Sequence, residues 1–260
     1  MNIHLICISR FGNVLIDIID HIYQYLVLQN CKYINFYLDQ SQDIVNFCNK
    51  LFDNTYIKFY RHNSNDNIQY QKTTTCFFYI VNNFNQERQN CLSTDKINKV
   101  LKYFQLDRLI EENKDLYDKV KNSLVIHLRL GDYTWKRQID TGYRVLTKQF
   151  ILRNSLEILS KYNMASYPIY LVSDDRNKSK EILEDFNVTI LEGNMYKDWL
   201  SLLFSKVVLA STSTYSLLAG ILGCPEKVYI PYPYLVSNDT NFVKRHEFLY
   251  NNDKIIKCKL

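Results

Sequence analysis

The segment His127-Leu128-Arg129-Leu130-Gly131-Asp132-Tyr133 gathers an imidazole, a guanidinium and a carboxylate within six positions. Strand alternation puts His127 and Arg129 on one face, Gly131 frees the backbone for a sharp turn, and Asp132 follows at once. An arginine at a strand end offers a planar fork of donors that matches a phosphate two bonds at a time. The same spacing suits an Arg129–Asp132 pair that merely stiffens the turn, and spacing leaves both readings open. His127 fits an orienting or buried role better than that of a base. Asp132, beside the arginine, is a carboxylate able to take a proton from a nearby hydroxyl or to fix Arg129.

Two further clusters stand ahead of apolar helical runs. Ala210-Ser211-Thr212-Ser213-Thr214-Tyr215-Ser216 contains four consecutive hydroxyls. Together with the free N–H groups of a helix start, they form an anion cradle that needs no lysine. The plainer reading is an over-provided helix cap. Ser173-Asp174-Asp175 sets two carboxylates side by side, able to hold a metal, accept from a nucleobase or cap the next helix. No third ligand stands at a spacing that supports a metal. Near the N-terminus, Ser9-Arg10-Phe11-Gly12-Asn13 reads as a turn with Asn13 at a helix N-cap. Asp17 and Asp20, one to two turns further on, read as a solvated face.

The elements that must position these residues follow from periodicity. Short apolar strands are expected at 3–8, 34–38 and 55–60, with helices over 14–28 and between the second and third strands. The Asn- and Gln-rich stretches 62–70 and 81–95 are expected to loop, and 96–121 to form a helix. From 124 onward strands alternate with helices: strands at 124–129, 168–173, 188–191, 207–210 and 227–230, the last taken as final. The helices between them fall at 147–162 (with Thr147 as N-cap), 177–186, 196–206 and 214–222. Such alternation predicts an α/β fold with a parallel sheet covered on both faces. Ligands of such sheets sit at the carboxyl ends of the strands, which is where all three clusters fall.

Composition narrows the function. The chain of 260 residues is 47% apolar and 23% charged, enough for a sizeable core. A net charge of +5 with no long basic run disfavours a nucleic-acid protein and suits an anionic small ligand. Seven cysteines form no C-x-x-C pair and read as reduced thiols of a cytoplasmic protein. No apolar run is long enough to span a membrane, and no signal peptide is expected. With only six glycines, and three alanines against 26 asparagines, each small residue carries weight. Ala219 and Gly220 predict close packing of their helix on the sheet.

The 127–133 segment resembles the His-x-Arg-Arg-Gly-Asp-Tyr motif of the alpha-1,2-fucosyltransferases and the wider fucosyltransferase superfamily. Segment 9–13 is similar to the Gly-x-Gly-Asn turn that opens those enzymes, and 170–175 to their Phe-Ser-Asp-Asp segment. Asp198-Trp199-Leu200 with 208–222 resembles their Asp-x-x-x-Met-Ser and Ser-x-Ser-Thr-Phe-Ser stretches, and 228–231 their closing strand and proline. Order and spacing hold over nearly the whole chain.

The resemblance implies a GT-B arrangement: two Rossmann-like halves with parallel sheets and a cleft between them. These would be an acceptor-side half, 1–121, and a donor-binding half, 122–260. It implies metal-independent, inverting transfer of fucose from GDP-fucose to a glycan, with no cofactor. Arg129 would bind the diphosphate and stabilise the departing GDP. Ser213, Thr214 and Ser216 would meet the β-phosphate, with His127, Ser211 and Asp174 beside the donor. Arg10, Gly12 and Asn13 would lie across the cleft on the acceptor side. Leu130 stands where the family has its second arginine, and Leu217-Leu218 where it has aromatics. A transferase of another nucleotide-deoxysugar, or a catalytically silent binder of nucleotide-sugar or glycan, are the alternatives.

Overall fold

The computed structural model describes residues 2–7, 11–62, 71–72, 90, 92–134, 139, 142–234, 236 and 247–260. Arg10 and most of the two Asn- and Gln-rich stretches lie outside the described residues. The chain divides into two compact units, Met1–Glu112 and Asn113–Leu260.

In the first unit, β1 (Asn2–Cys7), β2 (Tyr33–Leu38), β3 (Ile57–Arg61) and β4 (Gln71–Lys72) form a parallel sheet in the order β3-β2-β1-β4. The helices are α1 (Phe11–His21), which runs on as a π-helical segment Ile22–Leu28, α2 (Gln42–Leu51), α3 (Thr94–Leu101) and α4 (Leu106–Glu112). Asn13 lies inside the first turn of α1 and is not its N-cap. Asp17 and Asp20 are not solvated: each is 1% exposed. Val14, Leu15, Ile16, Ile18 and Ile19 are fully buried around them, so α1 has no face left for water. Burial of the Asp20 charge is offset by Lys96 of α3, whose Nζ stands 2.5 Å from Oδ1.

The second unit carries α5 (Lys114–Val120), β5 (Leu124–Leu128), α6 (Lys148–Lys161), β6 (Ile169–Ser173), α7 (Arg176–Ile182) and β7 (Thr189–Ile190). There follow α8 (Met195–Phe204), β8 (Val207–Leu209), α9 (Thr214–Leu222), β9 (Lys227–Tyr232) and β10 (Ile255–Lys259). Its parallel sheet has the order β10-β9-β8-β5-β6-β7. Counted within the unit, that is 3-2-1-4-5-6 read from β7, the doubly wound arrangement of dinucleotide-binding folds. Central β5 is buried along its whole length, and Leu124, Ile126, Leu128, Ile151, Ile158 and Leu171 anchor the core. Thr147 caps α6 as expected, its side chain accepting from Phe150 N at 3.2 Å.

Two further expectations fail. The single helix over 96–121 is three helices, because the chain leaves α3 to bond elsewhere. Phe104 bridges Phe52, Asp53 N donates to Tyr103 O at 2.8 Å, and Gln105 N to Leu51 O at 2.8 Å. The strand at 227–230 is not the last, since β10 pairs with it along the sheet edge.

Candidate functional site

Strand order in the second sheet reverses between β5 and β8, which are direct neighbours with Ile126 opposite Leu209. Connections leaving the two carboxyl ends diverge there and open a crevice. Arg129 is the first residue beyond β5. Its Nε donates to Asp132 Oδ1 at 2.9 Å, and Nη1 lies 3.3 Å from Asp174 Oδ2. The Arg129–Asp132 pair is therefore present, and the guanidinium it fixes still has a side chain 32% exposed. Asp174 also gathers the backbone, its Oδ1 accepting from Leu130 N at 2.8 Å and its Oδ2 from Gly131 N at 3.1 Å. A Cβ on Gly131 would stand 2.8 Å from that Oδ2, so any larger residue would have to displace the Asp174 carboxylate. The capping role falls to Asp175, which accepts from Lys178 N at the start of α7.

Two cross-links tie this turn to the loop after β8. His127 Nδ1 and Ser211 Oγ are 2.7 Å apart, and the imidazole packs 5.4 Å from the Tyr215 ring. Burial, with the charge of Arg129 nearby, pushes His127 down to about 3, so it is neutral and orients rather than takes protons. The Tyr133 hydroxyl donates to Thr212 O, while its ring lies 6.0 Å from the Arg129 guanidinium carbon and 4.8 Å from the Tyr143 ring. Burial pushes that phenol far up, which keeps it a donor.

Beyond the cross-links the chain enters α9 with Ser213 at the N-cap position, and the Ser213 side chain makes no capping bond. Ser216 Oγ donates back to Ser213 O at 3.2 Å, and Thr214 opens the helix. Thr212 Oγ1 is buried with no hydrogen-bond partner among the described residues. The first turn of α9 thus presents its N–H groups, and the positive end of its dipole, without an acceptor from its own cap. Gly12 and Asn13 lie in the first turn of α1, past the carboxyl end of β1, where the first sheet reverses its order.

On the β6–β7 side Asp198, which the sequence placed only within a family-like segment, is joined by Arg176, which the sequence did not single out. Arg176 opens α7 and donates from Nε to Leu191 O at 3.0 Å and from Nη2 to Gly193 O and Asp198 Oδ2, both at 2.8 Å. Asp198 is 9% exposed, and its Oδ1 is buried with no hydrogen-bond partner among the described residues. Burial pushes its carboxyl up while the Arg176 charge pulls it back. A lone acid at the head of Asp198–Phe204, a wholly buried run, was the available signal, since a buried carboxylate must find partners.

No protein-family model matches the chain, and no curated protein matches it in sequence. Solved structures match in fold. POFUT1 in complex with GDP-fucose superposes with a TM-score of 0.52 at 13% identity, over 88% of this chain and 97% of that one. POFUT1 in complex with GDP gives 0.53 at 10% identity over the same shares. The E. coli heptosyltransferase WaaC with ADP gives 0.50 at 10% identity, over 100% of this chain and 93% of that one. The chain therefore has the α/β fold of the GT-B glycosyltransferases. No described helix is long and apolar enough to cross a membrane.

Proposed function

We propose that the chain is a glycosyltransferase that moves fucose from GDP-fucose to a glycan acceptor by inverting displacement, without a metal ion. The observation that carries this is the pairing, at the β5–β8 reversal, of a fixed and partly exposed Arg129 with the uncapped start of α9. As the bond from the anomeric carbon to the diphosphate oxygen breaks, its electron pair stays on that oxygen and GDP leaves with increased negative charge. Donors already oriented toward that charge lower the barrier most. In this reading Arg129 and the N–H groups of α9 neutralise the diphosphate, with the Ser213 and Thr214 hydroxyls beside the β-phosphate. Ser211 and Ser216 are engaged by His127 and Ser213 O and shape the loop. Asp132 and Asp174 aim the guanidinium. Inversion follows from attack by the acceptor hydroxyl on the face opposite GDP, its proton passing to solvent water as the new bond to the anomeric carbon forms.

Guanine as the base is supported by Asp198. A carboxylate oxygen accepts but never donates, so it suits the N1–H and N2–H groups of guanine. The amino and ring-nitrogen edge of adenine does not match it. GDP-fucose bound to POFUT1, a structural neighbour, agrees with this choice of donor.

The test is GDP release from GDP-fucose in the presence of candidate glycans, beside a thermal-shift panel of GDP, UDP, TDP and ADP. Arg129→Ala is expected to lose a hundredfold or more in rate, equivalent to about 2.7–4 kcal/mol of barrier, with the fold kept. Turnover like that of the wild type in this variant would remove the central role of Arg129. One observation favours the second reading, a silent binder: two carboxylates already partner Arg129. GDP binding with no turnover on any sugar donor selects it. A shift with another nucleotide and none with GDP selects a different donor.

A further inference from the structure

We infer that Arg176 is the positioning residue that sets nucleobase choice, by holding Asp198 with one carboxylate oxygen bound and the other turned to the ligand. The inference rests on reading the carboxyl edge of β5–β7 as a nucleotide site. It concerns a residue that neither the sequence motifs nor the proposed chemistry assign.

The geometry is specific. One guanidinium spans three acceptors that belong to two segments of the chain. Leu191 O and Gly193 O lie on the loop between β7 and α8, and Asp198 Oδ2 lies on α8 itself. A planar fork with fixed donor directions locks the loop to the helix and fixes the rotation of the carboxyl group. With Oδ2 so engaged, Oδ1 is the oxygen left with no hydrogen-bond partner among the described residues. It is buried, and a buried carboxylate oxygen without a donor is costly unless a ligand supplies one.

Gly193 packs closely beside it: a Cβ there would stand 3.1 Å from Oδ1 and 2.9 Å from Lys197 Cβ, so any side chain at 193 crowds this oxygen. The charged and titratable side chains facing Asp198 are Arg176 from α7 and Tyr215 from α9, with Lys197 adjacent on its own helix. Arg176 is the positive charge that opposes the effect of burial and favours the ionised form of Asp198. Two properties of Asp198 therefore depend on one neighbour: which oxygen faces the ligand, and over which pH range it is an acceptor only.

The experiment is isothermal titration of the full chain with GDP, IDP and ADP between pH 5.5 and 8, using the wild type, Arg176→Gln and Arg176→Lys. IDP keeps the N1–H of guanine and lacks its amino group, so the wild type is expected to rank GDP above IDP above ADP. Arg176→Gln is expected to shrink the GDP preference over ADP by about tenfold or more, since a hydrogen bond to a charged group is misdirected. It also moves the acid limb of GDP binding to higher pH, because Asp198 without its cation takes a proton sooner. Arg176→Lys, which keeps the charge but not the fork, restores the pH profile and only part of the preference.

Should Arg176→Gln not fold, Gly193→Ala crowds the same oxygen with Arg176 intact, and it too should weaken GDP more than ADP. Folded variants that keep both the wild-type preference and the wild-type pH profile overturn the role of Arg176 while leaving the nucleotide site standing. A wild type that binds GDP and ADP alike overturns the reading of the site, and the inference with it.

Discussion

Burial against Ser211 and Tyr215, with Arg129 two residues away, pushes His127 down from the ordinary histidine value of 6.5 to about 3. Between those two values the unfolded chain binds a proton that the folded chain refuses. Stability from this residue is therefore complete above about 6.5 and is lost as pH falls toward 3. His127→Gln, which removes the ionisable ring, should flatten that acid limb in denaturant titrations at several pH values. An unchanged limb would show that other groups carry it. Tyr133→Phe probes the second cross-link: it leaves Thr212 O without its donor, which should cost about 1–3 kcal/mol of stability and weaken GDP binding in calorimetry. At this scale the sequence was a good guide where a residue's partners lie close along the chain or at a strand end. Arg129 with Asp132, and Asp175 as a cap, could be read from spacing. Arg176 with Asp198 could not, because 22 residues separate them and only the fold brings their side chains together.

Helix α9 meets the sheet through its smallest residues. A Cβ on Gly220 would fall 2.4 Å from Cγ2 and 3.2 Å from Cγ1 of Val228 on β9, a short branched side chain with no room to swing away. Gly220→Ala is thus expected to destabilise the second unit by about 1–3 kcal/mol through overpacking, measurable by denaturant unfolding. Lifting α9 off β9 would also tilt the N–H groups proposed to meet the diphosphate, so the same variant should bind GDP more weakly. The few small residues of this chain made that contact legible before the fold was known. Elements whose signal is tertiary were not legible. The break between α3 and α4 arises because Tyr103, Phe104 and Gln105 bond to the chain at 51–53, which no helical period reveals. Edge strand β10 has a single fully covered face position, Cys258, among lysines, and so lacks an apolar run. In α1, acid residues at helical spacing looked like a solvated face, yet Asp20 is held by Lys96 from another helix. Removing one partner there should be severe: Lys96→Met is expected to cost about 3–5 kcal/mol, whereas Asp20→Leu with Lys96→Met should recover most of it.

Each of the two units, Met1–Glu112 and Asn113–Leu260, has its own parallel sheet and its own buried core. Units built in this way unfold as separate cooperative steps when their cores are independent. Every group proposed to meet GDP or to shape its site, from His127 to Ser216 with Arg176 and Asp198 between, belongs to the second unit. A ligand that binds one folded unit stabilises that unit alone, by roughly 2.7 kcal/mol when present at about a hundred times its dissociation constant. Scanning calorimetry of the whole chain should therefore show GDP moving one transition upward and leaving the other in place. Gly220→Ala identifies the transition that moves, since it lowers the melting of the second unit only. Equal upward movement of both transitions would mean that the first unit also holds the nucleotide. In that case the GDP site would extend beyond the β5–β8 reversal, and Gly12 and Asn13 would become the first residues to substitute.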